Sequence, residues 1–568
     1  MKNTIKFAGA ALAFFTLTFQ TATAWSELPK PKLVLQITVD QLRGDLPERY
    51  ADRYGQGGFR YLLDQGIWYT NAHYQHSNLE TVVGHATLAT GTFPSAHGMV
   101  ANVWVDQETG ELAYGIEDSD YTMIGGQGGV DKASEIDPTQ AAARSEGRSP
   151  RMIIGTTFGD ELAVATAGKA KIFGVSVKDR AAVTMAGHSG KAFWFSKKSG
   201  EFVSSTFYYD TYPDWVKQWN AKGEAAAFAG KSWNLLHDRA DYVHASDDDR
   251  PYETSLPGFG RVFPHPFGNK DNKLFNTLLT LSPAGDVLTL DFAKALVEAE
   301  GLGQDEVTDY LSISFSATDY VGHIFGIAGL EMEDNLLRLD RTLADLLSFI
   351  DAKVGLDNTL IVLSADHGAP EAADYMAERG LAVERLVPSK FDANPFISAL
   401  KQRFGIGKKL ISMYEHPYVY LNRELIREKG LDQAEVERAV AVEFMKINGI
   451  ALAVSSSDLR SGHLPEAPVI QQVRRNFHPK RSGDVYVVQE PYWFLFTDES
   501  LPLCTMHGSP WSYDTYVPII FAGSGIKSQR IDRLVHPVDI ASTLAAATGS
   551  KFTSGARGVV LSEVMDKM

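Results

Sequence analysis

Four apolar, β-branched runs, "KLVLQITVD" (32–40), "KIFGVSVKDR" (171–180), "YLSISFSATD" (310–319) and "TLIVLSADHG" (359–368), each end in polar or charged side chains. Continuous rather than alternating hydrophobicity marks a strand covered on both faces, so these runs predict buried strands. Between them lie segments such as "NLLRLDRTLADLLSFIDAKVG", whose apolar residues recur three and four apart, the helix period. Strands alternating with helices imply an α/β fold with a mostly parallel central sheet flanked by helices. In such sheets ligands bind beyond the carboxyl ends of the strands, which is where the four polar endings fall.

A further strand and helix are read in "VPIIFAGSGI" and "HPVDIASTLAAATG", close to the C-terminus. The core is therefore expected in three pieces, 25–186, 301–371 and 484–568, with two inserted subdomains. The first, 187–300, contains the hairpin pattern "AFWFSKKSGEFVSS" and spaced tryptophans expected to serve core packing. The second, 372–483, contains "PYVYLNRELI", the amphipathic "DQAEVERAVAVEFMKI" and the apolar "GIALAVSS". At the N-terminus, Lys2 and Lys6 precede an apolar run that ends in the small residues Ala22-Thr23-Ala24, the pattern of a signal peptide over 1–24. Export to the periplasm or exterior is the expectation, with no later stretch apolar enough to span a bilayer. A net charge of -16 argues against nucleic acid or anionic membrane as a partner. Cys504, the single cysteine, has no intrachain partner and reads as a small core residue. A monomer or weak oligomer is expected.

The chemistry lies in the endings. Asp40 closes the first run, Asp319 and His323 lie four apart, Asp366 and His367 are adjacent, and His507 stands in "CTMHGSPW". Three carboxylates and three imidazoles are enough for two cations with three protein ligands each and an open position on each, the count of a two-metal hydrolase. The Asp319/His323 spacing puts both side chains on one helical face. Asp366 and His367 need irregular backbone, because within a strand they would point to opposite faces. In "NLETVVGHATLAT", Thr81 falls where a turn gives way to a helix. By itself it reads as a helix cap; beside metals its hydroxyl becomes a nucleophile. Asn102 offers an amide to a phosphoryl oxygen or serves a turn, and Lys178 and Arg180 either lean over the same ligand or are solvated charge. Two divalent ions plus these cations would make a positive pocket in an acidic protein, suited to a phosphate dianion. His85 and His97 are read as structural.

The ordered set Asp40, Thr81, Asn102, Lys178, Arg180, Asp319, His323, Asp366, His367 and His507 resembles the alkaline phosphatase superfamily, and most closely its exported, phosphate-irrepressible monoesterases with a threonine nucleophile. The resemblance runs from about residue 32 to the C-terminus. It implies two Zn2+ per chain, one held by Asp319, His323 and His507, the other by Asp40, Asp366, His367 and the Thr81 oxygen. It also implies in-line attack by Thr81, a phosphothreonine intermediate, and Asn102, Lys178 and Arg180 on the nonbridging oxygens of a small-molecule phosphate monoester. Many members carry proline soon after the nucleophile, where this chain has Val82-Val83-Gly84.

Within that superfamily a phosphodiesterase or nucleotide pyrophosphatase would share the metal ligands but replace the cationic pair with room for a second ester group; Lys178 and Arg180 favour monoesters. A sulfatase would need a cysteine at the nucleophile position. From another class, an exported protein that retains zinc and phosphate without turnover would show the same ligands with no catalysis.

Overall fold

The computed structural model describes residues 30–566 except 127, 128, 131, 133, 134 and 498–502. The expected signal peptide, 1–24, lies outside the described residues.

All four apolar runs are strands of one nine-stranded sheet. Its central strands are neighbours in the order Thr359–Ser364, Leu33–Val39, Asp309–Phe315, Ile172–Ser176 and Lys191–Ser196, all parallel. Tyr516–Gly523 runs antiparallel beside Thr359–Ser364, followed by Ile67–His73 and the short edge strand Gln529–Ile531. Glu201–Val203 forms the opposite, antiparallel edge.

Double-sided burial is what the continuous runs predict. Leu33, Leu35, Ile37 and Val39 face a core shared with Phe292, Leu296, Leu336 and Leu343 of helices Pro283–Glu300 and Leu330–Lys353. Val34, Tyr310, Leu360 and Val362 face the other way, against Leu88, Phe158, Met185 and Leu544 of helices Thr81–Thr90, Phe158–Ala165, Asp179–Ala186 and Val538–Thr548. Register brings the carboxyl ends level: Val39 pairs with Phe315, Thr38 with Ser364 and Ser314 with Ser176. The residues following these positions therefore emerge at one rim.

The expected boundary at 187 is displaced. The hairpin Lys191–Ser196/Glu201–Val203 extends the main sheet rather than belonging to a cap, because its β-branched and aromatic residues are covered on the sheet face. Helix Pro283–Glu300, also assigned to the insertion, covers the core. The tryptophans pack as expected: Trp219 is buried, with its indole N–H donating to Asp291, and Trp233 donates to Asp334. The second insertion forms a four-stranded sheet of Ile411–Glu415, Tyr418–Leu421, Val485–Gln489 and Ile450–Ser455, so it reaches past 483 to the strand ending at Gln489. Tyr418, Tyr420 and Tyr486 of that sheet join the core behind Val82 and Val83, so the insertion buttresses the Thr81 helix.

Candidate active site

Four neighbouring strands deliver the expected residues to one rim: Asp366 and His367, then Asp40, then Asp319 and His323 on helix Ala317–Phe325, then Lys178 and Arg180 at the start of helix Asp179–Ala186. His507 arrives from the segment before the antiparallel strand and Thr81 opens helix Thr81–Thr90. All ten residues come together. The helical expectation for Asp319 and His323 holds, with His323 Nε2 3.2 Å from Asp319 Oδ1.

Two donor clusters form. Asp40, Asp366 and His367 converge in one; Asp319, His367 and His507 in the other. His507 Nε2 is 3.4 Å from Asp319 Oδ1, and the His367 and His507 rings stack at 3.7 Å between centroids. His367 thus stands between the clusters, and His323 joins the second through Asp319.

The chemistry of these donors fits metal ions. Each histidine donates Nδ1–H to a backbone carbonyl, His323 to Thr505, His367 to Gly368 and His507 to Leu79, leaving the Nε2 lone pair for the site. Burial pushes His367 down to about 3 and lowers His507 as well, so both imidazoles are neutral at ordinary pH. Asp40 Oδ1, Asp366 Oδ2 and His367 Nε2 are buried without a hydrogen-bond partner. Buried polar atoms are rarely left so, and three aimed at one point call for a cation. Burial, reinforced by Asp366, holds the Asp40 carboxyl well above the carboxylate range against the pull of Lys178. Burial would raise Asp319 likewise, but His323 and Lys178 hold it well below.

Lys178 is fully buried, with its ammonium 2.8 Å from Asp40 Oδ2, against Asp319 Oδ2, and 3.5 Å from Thr81 Oγ1. It sits beneath the pocket among the carboxylates, while Arg180 lines the pocket with Thr81, Asn102, Asp319, His323 and His507. Asn102 Oδ1 accepts Val82 N–H at 2.9 Å, which turns its NH2 away from the helix. Thr81 is the first residue of its helix rather than the cap; Glu80 holds the cap position without capping by its side chain. Glu80 instead accepts Asn102 N–H at 2.6 Å, tying the Asn102 loop to the nucleophile turn.

Several residues of the site carry no legible signal in the sequence. Gln41 adopts φ 69°, an uncommon conformation without glycine, and from it donates backbone N–H to Asp366 Oδ1 and side-chain N–H to Asp319 Oδ1. His85 is closer to the chemistry than a merely structural reading allows: Nδ1 reaches Thr81 O at 2.8 Å and Asp366 Oδ2 at 3.2 Å, while Nε2 meets Ser314 Oγ. Asp286 Oδ1 accepts Ala317 N–H and so caps the helix that carries Asp319. Asp137, whose Asp-Pro sequence signals only a helix start, pairs with Arg180 at 2.7 Å and subtracts from the positive charge expected of the pocket. His97 is structural as expected, bonded to Thr87 and Met99, and Cys504 is buried with its thiol pushed well up by burial.

Sequence comparison places this geometry among known proteins. The alkaline phosphatase PafA of Elizabethkingia meningoseptica is 34% identical over 95% of each chain. A Myroides odoratus protein named calcium-transporting ATPase is 32% identical over 96% of each, and the alkaline phosphatase PhoV of Synechococcus elongatus is 31% identical over 94% of this chain and 93% of its own. A crystal structure of wild-type PafA superposes with a TM-score of 0.85, covering 94% of this chain and 99% of that one. Residues 34–511 match the family model described as type I phosphodiesterase / nucleotide pyrophosphatase. The chain is an enzyme of the alkaline phosphatase superfamily and belongs to its type I phosphodiesterase / nucleotide pyrophosphatase family.

Proposed function

We propose that the protein is an exported, zinc-dependent alkaline phosphatase that hydrolyses small-molecule phosphate monoesters through a phosphothreonine at Thr81. The observation that supports this most directly is the placing of Thr81 Oγ1, 3.5 Å from the Lys178 ammonium, at a rim where two donor clusters converge. Asp40, Asp366 and His367, with Thr81, would hold one Zn2+, and Asp319, His323 and His507 the other. When bound, such ions lower the pKa of a coordinated hydroxyl, neutralise phosphoryl oxygens and stabilise the departing oxygen.

The chain's own residues do the positioning, which is most of what phosphoryl transfer requires. The Thr81 oxygen attacks phosphorus in line as the bond from phosphorus to the alcohol oxygen breaks. Water then cleaves the phosphothreonine, returning the hydroxyl and releasing inorganic phosphate. Lys178 keeps positive charge beside the Thr81 oxygen, while Asn102 NH2 and the Arg180 guanidinium take nonbridging oxygens. His85, bonded to the Thr81 carbonyl and close to Asp366, holds the nucleophile turn against the strand that carries a ligand.

Diester cleavage is the second reading, favoured by the family whose model the chain matches. Two buried cations next to Thr81 favour the dianion of a monoester over it. The deciding experiment compares wild type with Thr81→Ala on p-nitrophenyl phosphate and bis-p-nitrophenyl phosphate. Wild type should turn over the monoester faster, and the variant neither. A wild type that binds zinc and phosphate yet hydrolyses neither ester would make this a binding protein instead.

A further inference from the structure

Arg180 approaches the pocket without help from its own helix. Its one side-chain hydrogen bond among the described residues is from Nη1 to Asp137 Oδ2, at 2.7 Å, and Nε is buried without a partner. A guanidinium is a planar fork, so anchoring one nitrogen fixes the direction of the others. Asp137 is itself held from both ends. Its Oδ1 accepts Thr139 N–H at 3.0 Å and the Thr139 hydroxyl at 2.6 Å, and its backbone N–H donates to Glu135 Oε1 at 2.9 Å. Glu135 in turn pairs with Lys197 at 2.5 Å, and Lys197 reaches the Tyr320 hydroxyl at 3.1 Å. The Tyr320 ring lies 4.7 Å from the Lys178 ammonium. The segment 135–140, in which Asp137 and Gln140 are buried, thus clamps Arg180 from outside the sheet rim and belongs to none of the strand endings.

We infer that Asp137 is a positioning residue for Arg180: by holding Nη1 it presents the remaining N–H groups to the phosphoryl oxygens, and so sets the preference for monoesters over diesters. A buried, unpaired guanidinium would otherwise carry a large desolvation cost and swing toward any carboxylate within reach. This rests on the proposed role of Arg180 at the phosphoryl group, and the test separates the two.

The test is a double-mutant cycle on the zinc-loaded protein with Asp137→Asn, Arg180→Ala and the pair, using p-nitrophenyl phosphate, bis-p-nitrophenyl phosphate and inhibition by inorganic phosphate. Asparagine keeps the acceptor for Thr139, and melting temperatures establish folding. Asp137→Asn should lower monoester kcat/KM by about 10- to 100-fold and weaken phosphate inhibition in step, with diester kcat/KM changed by less than about threefold. In the Arg180→Ala background the same substitution should cost less than about threefold. Independent, multiplicative losses in the double variant, or equal losses on both esters, overturn the inference while leaving Arg180's role intact. No loss from Arg180→Ala itself overturns the reading beneath it. Should Asp137→Asn melt early, phosphate binding to Asp137→Glu, which keeps the charge on a longer arm, carries the test: recovery of affinity toward wild type supports the clamp, and none refutes it.

Discussion

Gly84→Ala should cripple the enzyme while strengthening the isolated helix it alters. Gly84 is three residues beyond Thr81, on the same face of helix Thr81–Thr90, and its Cα is pressed against the loop after the Thr359–Ser364 strand. A methyl group there would lie 2.0 Å from the Asp366 carbonyl oxygen, 2.6 Å from its carbon and 2.7 Å from the Asp366 Cβ, where real contacts stay beyond 3.0 Å. The neighbours are backbone and a ligand's own stem, so neither yields by a change of rotamer, and the helix must withdraw by about 1 Å. Misplacement on that scale costs roughly 100-fold in rate. Alanine gains about 1 kcal/mol of helix propensity, set against about 1–3 kcal/mol of overpacking, so the folded protein should lose no more than about 2 kcal/mol. Steady-state kinetics on p-nitrophenyl phosphate with a urea melt would separate the effects: kcat/KM down by about two orders of magnitude in a protein that still folds. A Gly84→Ala enzyme within twofold of wild type would refute the claim that this close approach sets the distance between Thr81 and Asp366. The same contact accounts for glycine at position 84, three residues after the nucleophile.

Chelation should abolish hydrolysis, zinc should restore it, and metal analysis should find two zinc ions per chain; recovery with magnesium alone would refute the metal assigned. Replacing Lys178 and Arg180 together by alanine should cut monoester hydrolysis by at least about 10-fold more than diester hydrolysis, since only the monoester presents the extra anionic oxygen; equal losses would contradict their role. Burial pushes Asp286 up to about 7, so the native protein keeps a proton that the unfolded chain gives up near pH 4. Its contribution to stability is therefore full below about pH 4, falls as pH rises to about 7, and is absent above that. Asp286→Asn, which keeps an acceptor for Ala317 N–H, should match wild type in urea melts near pH 4 and exceed it by up to about 4 kcal/mol at pH 8; an equal difference at both pH values would refute this.

What the sequence makes legible is whatever burial and strand endings dictate. The central strands follow from continuous apolar runs, and Asp40, Asp319, Asp366 and His367 follow from their ends. Asp319 and His323 were legible because helical spacing is a local property, and Thr81 because a turn precedes an apolar helix. The antiparallel course of Tyr516–Gly523 was not legible, because its direction depends on how the chain returns from the second insertion. The hairpin at 191–203 was legible but its place on the main sheet was not, because its pattern is the same in a cap or at a sheet edge. Gln41 and Asp137 stayed hidden for a shared reason: each acts through a partner more than forty positions away in the chain, as Asp137 does on Arg180, and no local pattern records that.

Asp40 and His507 are separated by most of the polypeptide, yet both stand at the same rim. A nascent chain made from its N-terminus has the Asp40, Asp366 and His367 cluster in sequence by residue 367, but the second cluster waits until the residues around 507 have emerged. Shortened products ending before that point should lack the second zinc site and be inert toward ester, so loading with the second metal reports that synthesis has run to the last strands of the sheet.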